Sequence, residues 1–344
     1  MERPVKVLIV DDSRTMRALI RRALEKEPGL VVCAEAANPI EARDLIIRDQ
    51  PDVITLDVEM PGMNGLQFLD KIMRLRPIPV VMVSSLTTKG AETAIAALQM
   101  GAFDCFPKPE CSFGGEAFAG LARLVKQAAQ SRPSRAQAHC TAAPHPPSAW
   151  GNDFALVAIG ASTGGVEAIE KVLSGFPAGG PPIVICQHMP KLFTASFAKR
   201  LDHTLSALSV AESENGERLA PGMVRIAAGG EQHTVVERYA DGWLRTRLVK
   251  APPVNGHSPS VDVLFDSVAA QVGPNALGIL LTGMGQDGAK GLLAMRQAGA
   301  MTIAQDHDSS VVYGMPRVAA EIGAACQIVP LNQISRAALS ACKK

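Results

Sequence analysis

Ser162 lies in a short glycine-rich stretch whose spacing could support nucleophilic chemistry. Residues 160–164 read GASTG, which matches GxSxG, a pattern that holds a serine on a tight turn between a strand and a helix. Residues 155–159 are all apolar, as in a buried parallel strand, and apolar residues at helical spacing begin at Val166. The same pattern is typical of a turn that binds phosphate through the N–H groups of a helix N-terminus. This stretch by itself leaves both chemistries open.

A serine nucleophile needs a base and an acid that orients the base, and two later residues could supply them. His188 follows the apolar strand 183–186, and Asp287 follows the apolar strand 276–281 in a glycine-rich loop. A histidine is also common as a surface or capping group, and an aspartate as a turn residue. Because ligands bind at the carboxyl ends of parallel strands, we expect the three residues at one sheet edge, as a triad. Their order along the chain differs from that in the α/β-hydrolases, which excludes that fold.

The first third of the chain carries a second set of reactive groups at predicted strand ends. Asp11 and Asp12 follow the first strand, and Asp57 follows the third. Ser84 follows the fourth strand and Lys108 the fifth. Three carboxylates at one sheet edge repel one another and need a cation, and Mg²⁺ prefers such oxygen ligands. The ion, Lys108 and the Ser84 hydroxyl could then hold a phosphoryl group on one carboxylate.

Alternating strand and helix patterns position both sets of groups. One alternation runs from residue 5 to about 130, and a second begins at residue 153. Residues 126–150 between them, rich in Pro, Ser and Ala, predict a flexible linker. The pattern predicts an α/β protein with two doubly wound parallel-sheet domains, and an antiparallel hairpin with its turn at Asp241-Gly242. The predicted strands are 5–10, 31–34, 53–56, 80–83, 105–106, 155–159, 183–186, 224–227, 276–281 and 301–304.

Composition narrows the class of protein. The 344 residues are 47% hydrophobic and 19% charged with a net charge of +1, which suits packed domains and provides no basic field for nucleic acid. No apolar run approaches the ~18 residues of a membrane span, and the N-terminal run is too short for a signal peptide. The seven cysteines show no CxxC spacing, which favours a reduced cytoplasmic protein over a disulfide framework or a zinc site.

Residues 4–125 resemble a response-regulator receiver domain. The motifs that carry the resemblance are VLIVDDS at 7–13, ITLDVEMPGMNGL at 54–66, VVMVSS at 80–85 and GAFDCFPKP at 101–109. The resemblance implies a flavodoxin-like fold and phosphorylation by a histidine kinase. The site residues that it implies are Asp57 as the phosphoacceptor, Asp11, Asp12 and Asp57 as Mg²⁺ ligands, and Ser84 and Lys108 as phosphoryl sensors.

The segment around the fifth strand departs from the receiver pattern in one respect. Cys105 stands where receivers often carry an aromatic switch residue, and Phe103 and Phe106 are the aromatic alternatives. The bond between Lys108 and Pro109 is a candidate cis peptide, because only X-Pro bonds adopt that geometry at low cost.

Residues 151–344 resemble the catalytic domain of the chemotaxis protein-glutamate methylesterases. The motifs are AIGASTGG at 158–165, VICQHMP at 184–190, HSPSVDVLFDSVA at 257–269, LTGMGQDGAKGL at 281–292 and AQDHDSSVVYGMPRVA at 304–319. The resemblance implies a Rossmann-like three-layer α/β fold and cofactor-free hydrolysis of glutamyl methyl esters, with methanol released, and deamidation of glutamines. The site residues that it implies are Ser162, His188 and Asp287 as the triad, Met284 in the oxyanion region, and Thr163 and His257 nearby.

The order of the two domains implies an esterase that phosphorylation activates. The implied partners are a chemotaxis histidine kinase and the cytoplasmic domains of methyl-accepting chemoreceptors, with no nucleic acid and no insertion into a membrane. Two alternatives stay open. One is an output domain that only binds a partner, with Ser162 in a phosphate loop, and the other is the same triad acting on a different acyl group.

Overall fold

The chain divides into two compact units, Met1–Cys140 and Thr141–Lys344, here called the N-terminal and C-terminal units. The computed structural model describes residues 3–60, 64–109, 118–131 and 154–341. Most of the predicted linker, residues 132–150, lies outside the described residues, and its first part, up to Gln130, belongs to a helix. Among the described residues, no helix is both long and apolar enough to cross a membrane.

The N-terminal unit is built on a five-stranded parallel sheet. Its elements are β1 (Val5–Val10), α1 (Arg14–Leu24), β2 (Leu30–Ala36), α2 (Pro39–Asp49), β3 (Val53–Asp57), α3 (Gly65–Leu75), β4 (Val80–Ser84), α4 (Thr88–Gln99), β5 (Asp104–Pro107) and α5 (Ala119–Gln130). The strand order β2-β1-β3-β4-β5 is that of the flavodoxin-like folds, which confirms the predicted doubly wound sheet. Strands β3 and β4 are buried along their whole length, as expected when helices cover both faces.

Side-chain caps fix where the first four helices begin. Ser13, Asn38, Asn64 and Thr87 each accept a hydrogen bond from an N–H group in the first turn of α1, α2, α3 and α4. Because α1 starts four residues after Val10 ends β1, the intervening loop is short. The residues in such short loops therefore stay at the carboxyl edge of the sheet.

The C-terminal unit is built on a seven-stranded parallel sheet. Its elements are β6 (Leu156–Ala161), α6 (Gly165–Ser174), β7 (Ile183–Gln187), α7 (Lys191–Thr204), β8 (Ser209–Glu212), β9 (Met223–Ile226), β10 (Gln232–Arg238), β11 (Leu244–Lys250), α8 (Val261–Gln271), β12 (Ala276–Leu280), α9 (Ala289–Gln297), β13 (Met301–Gln305), α10 (Met315–Glu321), β14 (Gln327–Val329) and α11 (Leu331–Ala341). The strand order is β14-β13-β12-β6-β7-β9-β8, so β6 lies at the centre of the sheet.

Helices cover both faces of this second sheet. Leu156 and Ala158 of β6 belong to one core cluster with Phe265 of α8 and residues of α9 and α10. The alternate residues Val157 and Ile159 point to the opposite face and are also fully buried. The unit therefore has three layers, with the sheet between two layers of helices. Helix α6 packs against α11 outside the core cluster that contains Leu156 and Ala158.

A two-stranded antiparallel ribbon, β10 with β11, packs against α8. Its turn is the predicted one, because Gly242 adopts φ of +82° and Asp241 Oδ1 accepts a hydrogen bond from Trp243 N at 3.0 Å. Val236 N of β10 donates a hydrogen bond to Ser267 Oγ of α8 at 3.0 Å. The ribbon therefore extends the core beside α8.

Several elements differ from the sequence prediction. The edge strands β8 and β14 were not predicted, because they are four and three residues long and largely half-buried, so their periodicity is weak. Helix α11 was not predicted either, and it closes the unit with Ile334, Ala338 and Leu339 buried. The cis peptide bond within the described residues is Ser258–Pro259, so the prediction at Lys108–Pro109 was wrong.

Candidate functional site

The acidic residues predicted at the edge of the first sheet lie together. Asp57 is the last residue of β3, and Asp11 and Asp12 directly follow β1, the neighbouring strand. One carboxylate oxygen of each residue lies within 4.8 Å of those of the other two. Asp11 and Asp57 are buried, whereas Asp12 is exposed. This set of oxygen donors fits a hard divalent cation that keeps some of its waters.

Lys108, which follows β5, bridges two of these carboxylates. Its Nζ lies 2.8 Å from Asp57 Oδ2 and 3.0 Å from Asp11 Oδ2. Burial opposes the charged form of Lys108, but the hydrogen bond to Asp57 and the charge of Asp11 outweigh it and raise the lysine pKa. Burial also raises the pKa of Asp57, and Lys108 offsets this only in part. With three carboxylates and one ammonium group, the ionised cluster stays negative, which favours a bound cation.

Ser84 ends β4 beside this cluster, but its hydroxyl is engaged elsewhere. Ser84 Oγ is fully buried and donates to Gly90 O, in the first turn of α4, at 3.1 Å. The Ser84 carbonyl accepts a hydrogen bond from Lys108 N at 2.7 Å, so this backbone group helps to position the lysine. Ser84 therefore lies at the predicted place without contacting a carboxylate in this conformation.

Two aromatic residues flank Cys105 in and before β5. Phe103 is buried, whereas Phe106 is half-buried and stacks on Phe118 with ring centroids 5.8 Å apart. Phe106 is thus the partly exposed aromatic side chain next to the half-buried Cys105.

In the C-terminal unit, the three predicted triad residues follow adjacent strands. Ser162 follows β6, His188 follows β7, and Asp287 lies in the loop after β12. Strands β12, β6 and β7 are neighbours in the sheet, with β6 in the middle. The chain leaves β6 for β7 on one side while β12 pairs on the other, which makes this the switch point where parallel sheets bind ligands.

The turn at Ser162 is held by backbone hydrogen bonds on both sides. Ser162 N donates to Thr282 O at 3.0 Å, and Ser162 O accepts from Gly165 N at 2.8 Å. Gly164 adopts φ of +77°, and a Cβ at this position would lie 2.6 Å from Val311 Cβ. Glycine is therefore required at position 164, both by the backbone conformation and by the close approach of Val311. Ser162 itself is half-buried where α6 begins.

His188 and Asp287 form a buried hydrogen-bonded pair. His188 Nε2 lies 2.8 Å from Asp287 Oδ2, so the ring donates from Nε2 and its Nδ1 is the basic nitrogen. Nδ1 is buried and has no hydrogen-bond partner among the described residues. The Ser162 hydroxyl likewise makes no hydrogen bond to the imidazole in this conformation. The base is thus oriented by the acid, with its free nitrogen available at the same edge as the serine.

Asp287 stays ionised although it is fully buried. Burial alone would raise its pKa, but the hydrogen bond and charge of His188 and further hydrogen bonds lower the pKa of Asp287 well below its usual range. Two of its donors are N–H groups in the first turn of α8, where the helix dipole also favours an anion. The five donors are His188 Nε2 at 2.8 Å, Val261 N at 2.7 Å, Asp262 N at 3.2 Å, Ser260 Oγ at 2.7 Å and Asn255 Nδ2 at 3.0 Å.

His257 stacks directly on the ring of His188. The ring centroids are 3.7 Å apart and the planes differ by 7°. Burial, with the nearby His188, lowers the pKa of His257 to about 4. His257 is therefore neutral near pH 7 and restricts the orientation of the His188 ring without adding a charge.

The loop after β12 brings backbone close to the serine. A Cβ on Gly283 would lie 2.7 Å from Ser162 Cβ, and Met284 is the next residue in this loop. Gly314 packs on the other side, where a Cβ would lie 3.2 Å from Met284 Cα. Thr163 is buried, and its carbonyl accepts a hydrogen bond from Thr282 Oγ1 at 3.0 Å. The backbone of residues 283–284 thus lies close to Ser162, and Gly283 N donates to Val312 O at 3.1 Å.

Three residues that support Asp287 were not singled out from the sequence. Ser260 caps α8 and also donates to Asp287, and Asn255, at φ of +54°, donates to both Asp287 and Asp262. His233 is fully buried; its Nδ1 accepts from Ser260 N at 3.1 Å, and its Nε2 lies 3.1 Å from the carbonyl oxygen of Pro252. The serine before an apolar helix is a capping signal that could have identified Ser260. No sequence pattern marks the other two.

Comparisons with known proteins agree with this geometry. Residues 157–338 match the family model for the CheB methylesterase, and residues 7–112 match the response regulator receiver domain. The chain is 53% identical over 340 residues to a protein-glutamate methylesterase/protein-glutamine glutaminase from Rhizobium johnstonii, covering 97% of this chain and 95% of the relative. It is also 53% identical over 337 residues to one from Caulobacter vibrioides, covering 97% of each.

A solved structure supports the same assignment for the C-terminal unit. The CheB methylesterase catalytic domain of Thermotoga maritima is 36% identical, with a TM-score of 0.53, and the match covers 55% of this chain and 98% of that domain. The curated relatives match almost from end to end, so the similarity includes both units in the same order. This chain is a member of the CheB methylesterase family, with a response regulator receiver domain preceding the catalytic domain.

Proposed function

We propose that this protein is a phosphorylation-activated protein-glutamate methylesterase. It hydrolyses glutamyl methyl esters on chemoreceptors and releases methanol, and it deamidates glutamines on the same receptors, as the names of its relatives indicate for those proteins. The observation that carries the proposal is the buried His188–Asp287 pair on the strand ends that flank Ser162. A phosphate-binding loop has no need of this oriented pair.

The first half of the proposed reaction forms an acyl-enzyme. Ser162 Oγ attacks the ester carbonyl carbon while His188 Nδ1 takes the hydroxyl proton. Asp287 holds the imidazole in the tautomer that leaves Nδ1 unprotonated, and it stabilises the imidazolium that forms. Asp287 can do this only as an anion, and its five donors keep it in that form.

Loss of methanol completes the acyl-enzyme, and hydrolysis of that ester then returns the enzyme to its starting state. Backbone N–H groups near Met284 stabilise the oxyanion, a contribution of about 3 kcal/mol per donor. His188 then protonates the departing methoxide, which leaves as methanol. Water attacks the acyl-enzyme with His188 again acting as base, and the products are a glutamate side chain and free Ser162. With a glutamine substrate the same steps release ammonia.

The N-terminal unit is the proposed control element. Asp57 accepts the phosphoryl group from a chemotaxis histidine kinase, and Lys108 is close enough to bind it. The divalent ion is proposed to be Mg²⁺, held by Asp11, Asp12 and Asp57, and it would neutralise the charge of the phosphoryl oxygens. The Ser84 hydroxyl must first leave Gly90 O before it can donate to a phosphoryl oxygen, which couples phosphorylation to the start of α4.

The remaining parts of the proposal concern organisation and location. Residues 4–125 are assigned to the receiver domain, 126–150 to the linker and 151–344 to the catalytic domain, with the end of α5, up to Gln130, extending into the assigned linker. The substrates are the cytoplasmic domains of methyl-accepting chemoreceptors, so the protein is expected to work in the cytoplasm.

Methanol release from methylated chemoreceptors tests the function directly. The full chain is assayed with Mg²⁺, with and without a small phosphodonor such as acetyl phosphate. We expect turnover that the phosphodonor increases, and Ser162→Ala should abolish it while leaving the far-UV circular dichroism unchanged. The matched control is Ser206→Ala, at an exposed serine in a surface turn, which should behave as wild type.

Three outcomes would contradict the proposal. Turnover retained by Ser162→Ala would reject the serine mechanism, and receptor binding without any methanol release would favour a non-catalytic output domain. Labelling of Ser162 by a serine-directed phosphonate, without hydrolysis of receptor methyl esters, would indicate that the triad acts on another acyl substrate.

A further inference from the structure

Gln187 places a buried amide between the proposed nucleophile and base. It is the last residue of β7, directly before His188, and its side chain is only 3% exposed. Its Nε2 donates to Ser162 O at 2.9 Å and to His188 O at 3.3 Å. One NH₂ group therefore contacts the backbone of both residues.

These two hydrogen bonds extend the pairing of β6 and β7 beyond the end of the strands. The ladder itself ends with Ala161 opposite Gln187, followed by a hydrogen bond from His188 N to Ala161 O at 3.2 Å. Ser162 lies one residue further, where its N–H already donates to Thr282 O on the β12 side. The Gln187 amide is the side-chain group that ties the Ser162 carbonyl back to the β7 side.

The last glycine of the motif provides an independent observation. A Cβ on Gly165 would overlap Gln187 Oε1, and it would lie 3.0 Å from Gln187 Cδ and 2.7 Å from Ala161 Cβ. Gly165 is not among the residues with positive φ, so its backbone conformation does not itself require glycine. The close approach of the amide and of Ala161 is what excludes a side chain here.

The other end of the amide shows that general stability does not explain this residue. Gln187 Oε1 is buried and has no hydrogen-bond partner among the described residues. An unpaired buried acceptor destabilises a fold, and an apolar side chain of similar volume would avoid that cost. The donor end of Gln187 must therefore provide something that an apolar residue cannot.

We propose that Gln187 is a positioning residue that sets the separation of Ser162 and His188 by holding both of their carbonyl groups. The inference rests on the proposed roles of these two residues. Proton transfer requires Oγ and Nδ1 to approach within about 3 Å, and a shift of about 1 Å can lower a rate by about 100-fold. The two residues lie on different strands, so their relative position depends on contacts that cross between those strands.

Two substitutions separate a positioning role from a structural one. Gln187→Met keeps the volume but removes both donors, and Gln187→Glu keeps the shape while a carboxylate cannot donate to either carbonyl. We expect kcat for methanol release by the full chain, with Mg²⁺ and acetyl phosphate, to fall roughly 10- to 100-fold in both variants. KM for the methylated receptor should change less than about twofold, since the substrate-binding surface is intact. The melting temperature of Gln187→Met should fall only slightly, because removal of the unpaired Oε1 offsets part of the loss of the two hydrogen bonds.

The control is Gln271→Met, an exposed glutamine at the end of α8 whose Oε1 accepts from Arg238 N. It should leave kcat and KM unchanged. Labelling of Ser162 by a small fluorophosphonate provides a second measurement that does not depend on receptor binding, and it should slow in parallel with kcat in both Gln187 variants.

Wild-type kcat in Gln187→Met would overturn the inference, as would a loss of melting temperature with unchanged kcat in the folded fraction. Failure of the proposed function itself is distinguishable, because Ser162→Ala would then retain turnover and the fluorophosphonate would not label Ser162. If Ser162→Ala is inactive and Gln187→Met is fully active, the positioning role alone is rejected.

Discussion

Asp57 in the N-terminal unit and Asp287 in the C-terminal unit are both buried at the carboxyl edge of a parallel sheet, but their surroundings shift their pKa values in opposite directions. Asp57 is 2% exposed and Asp287 is 0% exposed, so both lose almost all contact with water. The pKa of Asp57 is nevertheless raised, whereas that of Asp287 is lowered. Burial is the same in both places, and the donors around each carboxylate account for the difference.

The donors differ in number and kind. Asp57 accepts one backbone hydrogen bond, from Glu59 N at 3.2 Å, and an ion pair from Lys108, while Asp11 adds a repulsive charge. Asp287 accepts five hydrogen bonds, two of them from the first turn of a helix. A carboxylate with few hydrogen-bond donors around it has an oxygen free to react with an incoming phosphoryl group. A carboxylate whose oxygens already accept several hydrogen bonds can only orient the adjacent histidine. The contrast agrees with a phosphoacceptor in one unit and an orienting acid in the other.

The largest effect is expected from Asp287→Asn. The amide cannot hold His188 in the required tautomer, and its NH₂ group faces backbone donors, so kcat should fall by roughly 10³- to 10⁴-fold and the melting temperature should drop. Methanol release and thermal denaturation measure the two effects. Asp266→Asn, at an exposed carboxylate on α8, is the control and should keep its kcat within about twofold. A kcat above a tenth of the wild-type value in Asp287→Asn would contradict the orienting role.

Asp57→Asn should remove the activation by a phosphodonor without removing ester hydrolysis itself. We expect the stimulation by acetyl phosphate to disappear while basal methanol release persists, and no phosphoprotein should form on Phos-tag gels. Because burial disfavours the Asp57 charge, the melting temperature in metal-free buffer should stay the same or rise, opposite to the result for Asp287→Asn. Equal losses of stability in the two variants would show that the contrast between the sites is not real.

Ser260→Ala should lower kcat less than Asp287→Asn does, because it changes only one donor to Asp287. It removes the cap of α8, worth about 1 kcal/mol, and one of the five donors to Asp287. We expect kcat to fall about tenfold and the melting temperature to decrease slightly. If Ser260 acts through Asp287, the same substitution should have almost no further effect on kcat in the Asp287→Asn background.

The smallest effect is a pH dependence from His257. Its pKa is about 4 in the folded protein against an ordinary value of 6.5, so it favours folding most above pH 6.5 and loses that contribution as the pH falls towards 4. His257→Gln should therefore lose less melting temperature between pH 6.5 and 4 than the wild type does, by a few degrees. Parallel melting curves for the two proteins across this range would show that His257 is not held neutral.

Much of the architecture could be predicted because it depends on local patterns. The apolar runs before Asp11, Asp57 and Ser162 are strands in the structure, and a helix follows each of them, as the periodicity indicated. The weakly patterned edge strands β8 and β14 could not be identified, because their stability comes from pairing with β9 and β13 rather than from their own sequence. For the same reason, the sequence did not show that residues 255–262 donate hydrogen bonds to Asp287, since only the tertiary fold brings them together.

The sequence by itself determined which groups lie at strand ends, because strand periodicity and the parallel topology bring those ends to one edge. It was also sufficient to place Ser162, His188 and Asp287 after three different strands. Only the tertiary structure decided which imidazole nitrogen faces Asp287, which donors keep that buried carboxylate charged, and that the Gln187 amide joins Ser162 to His188. These features depend on the distances between segments far apart in the chain, to within a few tenths of an ångström. No local sequence pattern encodes distances that precisely.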